Sequence, residues 1–540
     1  MCAARTTIPS VDAEASVFAP TWTNVMTNGV PRLAAGLGIG LFISSAIAAP
    51  GDGAPSCGEI ATFVDGLSPT QELHVAPDGS NSSGDGSADD PFATIAFAAA
   101  HAVPGTAVRV HAGTYAGGGF ITDKAGTAAA PIWIGGAPGE PRPVIVGGSE
   151  GLHFIRARYM IIHDLEVHSA ANNGINCDDG GDYDDPLASH HLLFRDLYIH
   201  NIGGSGNQDG LKLSGINDFA VLDCEIAFCG GAMSGSGIDM VGCHHGLIAR
   251  CYLHDLSAHA VQCKGGSEDV DIRWCRLTEA GERGINIGGS TGFEFFRPPL
   301  SPSMPNFEAK NIRVVANVIE GCTASVAYVG CVDSVVADNT VVDPHNWIIR
   351  ILQETVSGGG FTFLPCGNNS FINNLVYFDR SDLSTYVNIG PNTAPATFTF
   401  AHSLWYAHDN PALSAPTLPV AETGAVIGEN PLLANPAAGD YSIGADSPAA
   451  GAGLAPAFAA ADIAATCYRV RPSIGAYEIP PPVGDLDGNG SVDLLDWCRL
   501  AACLGGPTVP LSDACTTADL DNDGDADLLD VVIVANAFGS

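Results

Sequence analysis

Basic residues are scarce in this sequence. Its 540 residues include 22 lysines and arginines against 59 aspartates and glutamates, which gives a net charge of -37. Nucleic acids attract basic surfaces through their phosphates, so we expect no nucleic-acid partner. Such acidity fits a secreted protein that uses carboxylates to bind calcium, although solubility through self-repulsion accounts for part of the charge. The length is ample for one large core with accessory modules, and we expect a monomer.

The N-terminus lacks an apolar run long enough for a comfortable membrane span. Met26 precedes a better signal sequence than Met1 does, with Arg32 as a short basic region and an apolar stretch over 33–43. Residues 46–48 (AIA) supply a small-residue cleavage pattern. We therefore expect residues 1–48 to be a signal-peptide region whose true start is near Met26. The mature protein should be secreted or held at the cell surface, without a membrane span.

Cysteine pairs of the metal-binding type are lacking as well. The 16 cysteines include no Cys-x-x-Cys pair and no cysteine–histidine set with zinc spacing. Export would favour disulfides. However, Cys224, Cys251 and Cys275 each follow a short apolar run and precede a turn rich in Gly, Ser, His or Asp. We therefore expect these three residues to be free, buried thiols at one rung of a repeat.

The repeat continues on both sides of these cysteines. Asp164 and Asp196 precede them in the same register, and Asn317, Asn339 and Asn374 follow them. Spacings of roughly 22 to 28 residues recur, with a few longer intervals where loops are inserted. A period in this range, with strand-like segments and no helical pattern, indicates a solenoid. We predict an all-β fold, a parallel β-helix with small stacked side chains at this inward rung.

Two segments resemble the ends of secreted right-handed β-helix proteins, including polysaccharide lyases. Residues 72–145 combine strand-like segments with an alanine-rich helix over 96–102, and in such proteins a helix covers the open end of the first coil. Residues 474–478 (IGAYE) resemble their closing pattern. The resemblance implies a right-handed parallel β-helix over 72–478, followed by a short proline-rich linker over 479–483.

One face of the repeat carries a column of polar side chains. Strand-like triplets align so that Ile, Leu and Val point inward and polar residues point outward. The outward residues of this column are Asn176, Lys212, Asp239, Gln262 and Asn286. Asp209, His259 and Arg283 flank the column at its turn edge, and Lys264 lies one outward position further along its strand. Stacked coils place such residues about 4.8 Å apart, which makes a groove suited to an extended sugar chain.

Two loops border the predicted groove. An Asp-rich loop over 178–185 follows one strand of the column, and the segment 290–309 interrupts the period after the last strand. Phe293, Phe295 and Phe296 lie in the second loop, where a ring can stack on pyranose faces at the rim. The predicted substrate-binding residues are Asn176, Asp209, Gln262, Asn286, Phe296 and Arg297.

The column holds the residue types that β-elimination from a uronic acid requires. A base removes the proton next to the carboxylate, and calcium or arginine neutralises the charge that develops there. The predicted catalytic residues are Lys212, Asp239, Lys264, Arg283 and His259. Lys212, Lys264 and Arg283 are candidates for the base or for the cation that neutralises the substrate carboxylate. The Asp-rich loop with Asp239 is a candidate calcium site. A neighbouring carboxylate raises the pKa of a lysine, so Lys212 acts as base only where calcium or an arginine offsets Asp239.

Two short motifs resemble polysaccharide lyases of the β-helix type. The Asp-rich loop, followed by 209–212 (DGLK) and 237–239 (GID), resembles calcium-dependent pectate lyases, in which aspartates bind calcium and a lysine is the base. Residues 264–267 (KGGS), followed by Arg283, resemble the lysine–arginine pair of chondroitinase B and alginate lyases. These resemblances imply a lyase that acts on an acidic glycan.

Two other functions stay open from the sequence. A glycoside hydrolase of the same fold would use paired carboxylates such as Asp209 and Asp239. A non-catalytic glycan-binding or surface protein would carry the same column as simple coil-to-coil ion pairs and amide stacks. New reducing ends without an unsaturated product would favour the hydrolase, and binding without cleavage would favour the binding protein.

Residues 484–540 form a separate module with two aligned sets of calcium-ligand positions. The first set is Asp485, Asp487, Asn489, Ser491, Asp493 and Asp496, and the second is Asp519, Asp521, Asp523, Asp525, Asp527 and Asp530. Aspartate at the last position of both loops, and two loops without an entering helix, make this small α-helical, EF-hand-like module resemble a type I dockerin. The resemblance implies bound Ca²⁺ and a cohesin-type scaffold protein as partner. Cys503 and Cys515 lie between the loops and are able to form a disulfide.

Overall fold

A computed structural model of the chain describes residues 57–204, 207–231, 235–479, 481–487 and 490–539. The expected signal-peptide region and Asn489 lie outside the described residues. The chain divides into two compact units, a large one that ends at Pro481 and a C-terminal module that starts at Pro482. Within the described ranges, no helix combines the length and the apolar character that a membrane span requires.

The large unit is a solenoid of three parallel β-sheets, and successive strands of the chain pass from sheet 1 to sheet 2 to sheet 3. Sheet 1 consists of Gln71–Val75, Thr106–Val110, Ile132–Gly136, Arg158–His163, His190–Arg195, Asn217–Leu222, His244–Ala249, Ser267–Arg273, Ala309–Val315, Cys331–Val332, Val335–Ala337, Ser370–Ile372 and Thr399–Ala401. Sheet 2 consists of Thr114–Ala116, Val144–Val146, Glu166–His168, Tyr198–Ile202, Glu225–Cys229, Tyr252–Leu256, Arg276–Ala280, Val318–Glu320, Thr340–Val342, Leu375–Phe378, Leu404–Ala407 and Val426–Ile427. Sheet 3 consists of Gly119–Thr122, Leu152–Ile155, Ile175–Asp178, Leu211–Ser214, Ile238–Val241, His259–Lys264, Arg283–Gly288, Ala324–Val329, Trp347–Leu352 and Val387–Ile389. The predicted all-β parallel solenoid is confirmed.

Helices are few and short in the described chain. The α-helices are α1 (Ile95–His101), α2 (Leu494–Cys503) and α3 (Leu528–Ala537). Single 3₁₀ turns occur at Phe293–Phe295, Arg380–Asp382, Pro395–Thr397, Pro411–Leu413, Pro436–Ala438 and Asp513–Ala518. Thr94 caps α1 by accepting a hydrogen bond from the N–H of Phe97, and Ile95 and Ala98 join the apolar core of the first coils. The alanine-rich segment therefore covers the end of the solenoid, as predicted.

The three cysteines of the repeat lie inside the solenoid. Cys224, Cys251 and Cys275 are free thiols, and each exposes at most 2% of its surface. Most other inward positions hold Ile, Leu or Val, and together these side chains form one continuous apolar core along the coils. The prediction of free, buried thiols is confirmed.

The rung assigned to Asp164 and Asp196 is wrong by one position. Both residues have a left-handed backbone, with φ of 51° and 53°, at the turn between sheets 1 and 2, where Asp223 stands on the next coil. The residue after each of them points inward, and there Leu165 and Leu197 are buried. Aspartate tolerates the left-handed conformation better than most residues because its short polar side chain bonds locally. Aspartate therefore suits the turn rather than the core.

Downstream of the cysteines, the inward column is a ladder of asparagines. Asn317 Nδ2 donates to Asn339 Oδ1 at 3.0 Å, and Asn339 Nδ2 donates to Asn374 Oδ1 at 2.9 Å. The same Oδ1 of Asn339 accepts the backbone N–H of Asn317 at 2.9 Å. All three side chains are fully buried. The predicted replacement of cysteine by asparagine is confirmed, and hydrogen bonds between coils satisfy the buried amides.

Two disulfides are present in the described chain. Cys503 and Cys515 are joined, as their place between the two acidic loops allowed. Cys57 and Cys467 are also joined, over a sequence separation of 410 residues. A bridge that closes so long a loop removes much conformational entropy from the unfolded chain. The sequence offered no sign of this pairing.

Both helices of the C-terminal module begin where an acidic loop ends. Asp493 and Asp527 cap the N-termini of α2 and α3. Asp496 and Asp530, the third residues of these helices, complete a capping box in each case. The last positions of the two predicted calcium loops are therefore held in place by helix capping.

Candidate active-site cleft and calcium loops

The outward column lies on sheet 3 in the predicted register. Asn176 pairs with Lys212, and Lys212 pairs with Asp239 on the next strand. Asp239 pairs with Gln262, and Gln262 pairs with Asn286. Neighbouring strands of a sheet lie about 4.8 Å apart, so the five side chains form one continuous polar strip. Their alignment from the sequence is confirmed.

Lys212 and Lys264 share the carboxylate of Asp239. Lys212 Nζ donates to Asp239 Oδ2 in a short contact and lies 3.5 Å from Asp209 Oδ2. Lys264 Nζ lies 3.3 Å from the same oxygen of Asp239 and donates to Gln262 Oε1 at 3.0 Å. Asp239 is fully buried and Asp209 is 1% exposed. The two carboxylates thus form a negative floor beneath two ammonium groups.

Burial and ion pairing act in different directions on these groups. Burial raises the pKa of Asp239, but Lys212 and Lys264 outweigh burial and hold this pKa at about 2. Burial and the charge of Asp239 raise the pKa of Asp209 to about 6. Burial lowers the pKa of Lys212, yet Asp239 and Asp209 together raise it above the ordinary lysine value. Lys212 is therefore a cation at neutral pH in the free protein.

An open cleft of about 800 Å³ lies over this cluster. Lys212 and Lys264 line the cleft together with Asn176, whereas Asp209 and Asp239 do not. Four of the chain's 22 lysines and arginines line this one cleft. Asp178 and Asp179 line the same cleft, and each of the four cations has a carboxylate partner in the protein. The cleft therefore presents paired cations to a ligand rather than a surface of net positive charge.

Two loops form one side of the cleft, and an ion pair joins them. Arg297 Nε donates to Asp179 Oδ2 at 2.7 Å, and Arg297 Nη2 donates to Asp179 Oδ1 at 3.1 Å. Arg297 Nη1 donates to the carbonyl of Phe295 at 2.8 Å, and the guanidinium lies 4.1 Å from the ring centre of Tyr183. Every nitrogen of this guanidinium already has an acceptor in the protein. The geometry therefore gives Arg297 a role in the wall, and because Arg297 also lines the cleft its contact with substrate stays a prediction.

Among the predicted phenylalanines, Phe295 rather than Phe296 lines the cleft. Phe296 is 2% exposed, and its ring packs 5.6 Å from the ring of Phe363. Phe295 is 47% exposed and lines the cleft. The 3₁₀ turn at Phe293–Phe295 decides which ring faces solvent. A sequence of several phenylalanines in a loop does not show this choice.

Four further predicted residues do not line the cleft, namely Arg283, His259, Asn286 and Gln262. Arg283 Nη1 donates to Asn286 Oδ1 at 2.7 Å, and its Nη2 donates to Glu354 Oε1 at 2.8 Å. Burial and the nearby Arg283 lower the pKa of His259 to about 3. The geometry gives no support to a catalytic role for Arg283 or His259, because neither reaches the space above Lys212.

Arg156 and Asn173 are among the cleft residues that the sequence did not predict. Arg156 follows the strand Leu152–Ile155 with a φ of 51°, and its Nε and Nη2 donate to Asp123 at 2.6 and 3.0 Å. Asn173 accepts the N–H of Asp209 at 2.9 Å through its Oδ1. Both residues line the cleft but stand in turns, outside the period-two alternation of the strands. The pattern that revealed the column could not reveal them.

The Asp-rich loop does not have the oxygen arrangement of a calcium site. Both oxygens of Asp179 accept from Arg297. Asp178 Oδ1 accepts the N–H of Gly180 at 2.8 Å, and its Oδ2 lies 2.6 Å from His153 Nε2. In the described part of the chain, groups of three carboxylates close enough to share an ion occur in the C-terminal module alone. The residues present on the solenoid therefore do not fit the predicted second calcium site.

The two acidic loops of the C-terminal module do fit a calcium ion. The carboxylates whose oxygens lie within 4.8 Å of one another are Asp485, Asp487 and Asp496 in the first loop, and Asp519, Asp521 and Asp523 in the second. Slight desolvation and the negative charges of Asp523 and Asp530 raise the pKa of Asp521. A hard cation with oxygen ligands would relieve this repulsion.

Two protein-family models match parts of the chain. Residues 483–539 match the family model described as the dockerin type I domain. The module is a type I dockerin domain. Residues 147–297 match the model described as the right handed beta helix region, in agreement with the parallel solenoid. In the dockerin domain, Asp496 and Asp530, the last positions of the two predicted calcium loops, each complete a helix capping box.

Several solved structures are similar to this chain at low sequence identity. Pectate lyase Pel9A is 17% identical, with a TM-score of 0.48, over 77% of this chain and 98% of that chain. An alginate lyase from Paenibacillus sp. str. FPU-7 is 16% identical, with a TM-score of 0.38, over 62% and 99%. A GH136 lacto-N-biosidase from Eubacterium ramulus is 14% identical, with a TM-score of 0.41, over 66% and 68%. No curated protein matches the chain. Identities this low carry no information on reaction or substrate.

Proposed function

We propose that this protein is a secreted polysaccharide lyase that cleaves an acidic, uronate-containing glycan by β-elimination. The observation that carries the proposal is the pair of lysines over one buried carboxylate, Lys212 and Lys264 above Asp239, in the cleft of sheet 3. Uronate elimination requires a cation beside the carboxylate and a base beside the adjacent carbon. Two neighbouring lysines can supply both.

The reaction divides into two tasks for these lysines. The base takes the C5 proton of the uronate, the electrons of that C–H bond form the C4=C5 double bond, and the C4–O4 bond breaks. The departing O4 takes a proton from water and becomes a new chain end. Negative charge grows on the uronate carboxylate while the proton leaves, and a fixed ammonium group in the cleft stabilises that charge.

The surroundings of the two lysines favour Lys264 as the base and Lys212 as the neutralising cation. Lys212 lies between Asp209 and Asp239, and both carboxylates raise its pKa. Lys264 contacts one carboxylate, that of Asp239, which Lys212 already neutralises. When Lys264 gives up its proton, Asp239 therefore keeps a partner. A lysine can act as the base only where another cation offsets the charge of Asp239. Here that other cation is Lys212.

The same geometry is less suited to a glycoside hydrolase. Hydrolysis requires an acid and a base or nucleophile that both reach the glycosidic bond. Asp239 and Asp209 are buried beneath Lys212, and neither lines the cleft. An elimination that uses the exposed ammonium groups is therefore better supported than a hydrolysis that uses these carboxylates.

Replacement of each lysine by arginine tests the proposal, because arginine keeps the positive charge but cannot serve as a base. Polygalacturonate, alginate and glycosaminoglycans are offered to the wild-type protein, Lys264→Arg and Lys212→Arg, and ultraviolet absorbance follows the unsaturated product. We expect Lys264→Arg to lose activity by about 100-fold or more. Lys212→Arg should lose about tenfold or less, because its charge is retained.

Lys310→Arg is the matched control. Lys310 is an ion-paired lysine of sheet 1, 2.6 Å from Glu268 and outside the cleft, so its replacement should leave the rate unchanged. A larger loss of activity in Lys212→Arg than in Lys264→Arg would make Lys212 the base and Lys264 the neutralising cation. Wild-type rates from both cleft variants would contradict the lysine mechanism, and glycan binding without any cleavage would make the protein a glycan-binding protein.

The dockerin domain supports the further proposal that the protein is attached to a cohesin-type scaffold. We propose that this attachment requires calcium in the two acidic loops. The full chain should bind immobilised cohesin modules in calcium and lose this binding in EDTA. A variant with Asp485→Ala and Asp519→Ala should fail to bind in either condition. Equal binding of this variant and the wild type would contradict the proposal.

A further inference from the structure

Arg297 is the most deeply buried of the four cations that line the cleft. The side chain of Arg297 is 9% exposed, against 14% for Lys264, 17% for Lys212 and 31% for Arg156. Its partner Asp179 is 1% exposed and lies 118 positions away in the sequence. A buried carboxylate requires a counter-charge, and the two parallel hydrogen bonds of a guanidinium provide one with a fixed geometry.

The neighbouring carboxylate is also engaged within the protein. Asp178 Oδ1 accepts the N–H of Gly180, and its Oδ2 contacts His153. Asp179 Oδ1 accepts the N–H of Gly181 at 2.9 Å in addition to its bond from Arg297. These two aspartates therefore have their oxygens engaged by protein groups, whereas Asp182, Asp184 and Asp185 of the same loop are exposed to solvent.

Three glycines allow Arg297 and Asp179 to pack closely against the backbone of the solenoid. Gly215, Gly242 and Gly266 lie in the turn after sheet 3 on three successive coils, with φ of 69°, 60° and 92°. A Cβ at Gly242 would lie 2.5 Å from Arg297 Cβ, and a Cβ at Gly266 would lie 2.6 Å from Arg297 O. A Cβ at Gly215 would lie 2.2 Å from Asp179 Oδ2. Three coils thus leave room for this one ion pair.

We propose that Arg297 is a built-in cation of the cleft, which neutralises Asp179 and fixes the cleft wall without a divalent ion. The calcium requirement of the chain is then confined to the dockerin domain, and the solenoid keeps its cleft in the presence of a chelator. Arg297 is a positioning residue, because its three guanidinium nitrogens donate to Asp179 and to the carbonyl of Phe295 within the wall. This inference goes beyond the proposed lyase function and does not depend on turnover.

Calcium stoichiometry of the full chain provides the first test. Calcium is titrated by calorimetry into the wild-type protein and into a variant with Asp485→Ala, Asp487→Ala, Asp519→Ala and Asp521→Ala. We expect calcium binding by the wild type and no calcium binding by the variant, because its solenoid retains Arg297. Calcium binding by this four-alanine variant, whose solenoid is unchanged, would overturn the proposal. The result is independent of whether any glycan is cleaved.

Hydrogen exchange of the wall provides the second test. Exchange of residues 178–185 and 290–297 is followed by mass spectrometry in calcium and in EDTA. We expect equal protection in both for the wild type, and exchange faster by about tenfold or more in Arg297→Ala. Added guanidinium ion at a low, non-denaturing concentration should restore part of the protection, whereas sodium ion should not.

Arg195→Ala is the matched control for this test. Arg195 is an arginine of sheet 1 with a loose ion pair, 3.8 Å from Asp223, and its loss should leave the wall protected. Wild-type protection that falls in EDTA, or full protection in Arg297→Ala, would overturn the proposal. The stoichiometry test changes no residue of the solenoid, so the proposal stays testable even if Arg297→Ala does not fold.

Discussion

Among single residues, Asp209 makes the lysine cluster sensitive to pH. It accepts the N–H of Ser236 at 2.8 Å and lies 3.5 Å from Lys212 Nζ. Burial and the charge of Asp239 raise its pKa from the ordinary value of 3.8 to about 6. Between about pH 4 and pH 6, the folded protein therefore retains a proton that the unfolded chain has released.

This difference predicts that the free energy of unfolding falls as pH rises from about 4 to about 6. A pKa difference of this size corresponds to about 3 kcal/mol. Asp209→Asn cannot ionise, so it should lose this part of the pH dependence in denaturant titrations. Asp338, whose pKa burial raises to about 7, should contribute a second decline that both proteins share. An unchanged slope between pH 4 and pH 6 in Asp209→Asn would show that another group titrates.

Residues on the strands could be predicted from the sequence, and residues in the loops could not. Lys212 and Asp239 were aligned correctly because side chains alternate strictly along a strand and the coils repeat. The exposure of Phe295 and the engagement of Arg297 depend on loop backbone angles and on a partner far away in the sequence. Arg156 escaped notice for the same reason, because it stands in a left-handed turn.

Among the elements, the wall of the cleft depends on the close approach of Arg297 to Gly242. Gly242→Ala would place a methyl group 2.5 Å from Arg297 Cβ at a φ of 60°. Gly147→Ala imposes similar backbone strain, at a φ of 74°, with no atom within 4 Å. The pair of variants separates backbone strain from the steric clash.

We expect Gly147→Ala to lower the free energy of unfolding by about 1 kcal/mol through backbone strain alone. Gly242→Ala should lower the free energy of unfolding by more than Gly147→Ala does. It should also reduce activity on the uronate substrate, because Arg297 and the wall must move. Denaturant titration measures the first effect, and the rate of unsaturated product formation measures the second. Equal stability and equal rates in the two variants would show that the contact with Arg297 has no consequence.

The repeating strands could be predicted from the sequence because each coil must bury the same inward positions. The asparagine ladder was found by this logic, since Asn339 occupies the inward column that the cysteines begin. The predicted rung is wrong by one position at Asp164 and Asp196. These residues have a left-handed backbone in the turn, and the next residue along the chain points inward instead. The pairing of Cys57 with Cys467 leaves no local pattern at all, because it joins segments 410 residues apart.

For the whole molecule, the two units should respond differently to a chelator. The acidic loops of the dockerin domain offer oxygen ligands whose binding energy contributes to folding. The solenoid is held by parallel strand ladders, an apolar core and buried amide bonds, and Arg297 neutralises the buried Asp179 at its cleft. Loss of calcium should therefore unfold residues 484–540 and leave the solenoid folded.

Calorimetry with and without EDTA measures this separation. We expect two transitions in calcium, of which the chelator lowers or abolishes one and leaves the other in place. The variant with four alanines in the dockerin loops should show the solenoid transition alone in both conditions. A single transition that the chelator shifts as a whole would contradict the account of two independent units.

The central claim, that Lys212 and Lys264 serve an elimination, is tested most directly by the origin of the oxygen in the product. Cleavage of a responsive uronate polymer is carried out in oxygen-18-labelled water and followed by mass spectrometry. Elimination breaks the C4–O4 bond without adding water, so the account predicts unlabelled, unsaturated chain ends from the wild type. Lys264→Arg should form them about 100-fold more slowly or not at all. Saturated products that carry the heavy oxygen would show hydrolysis and would contradict the claim.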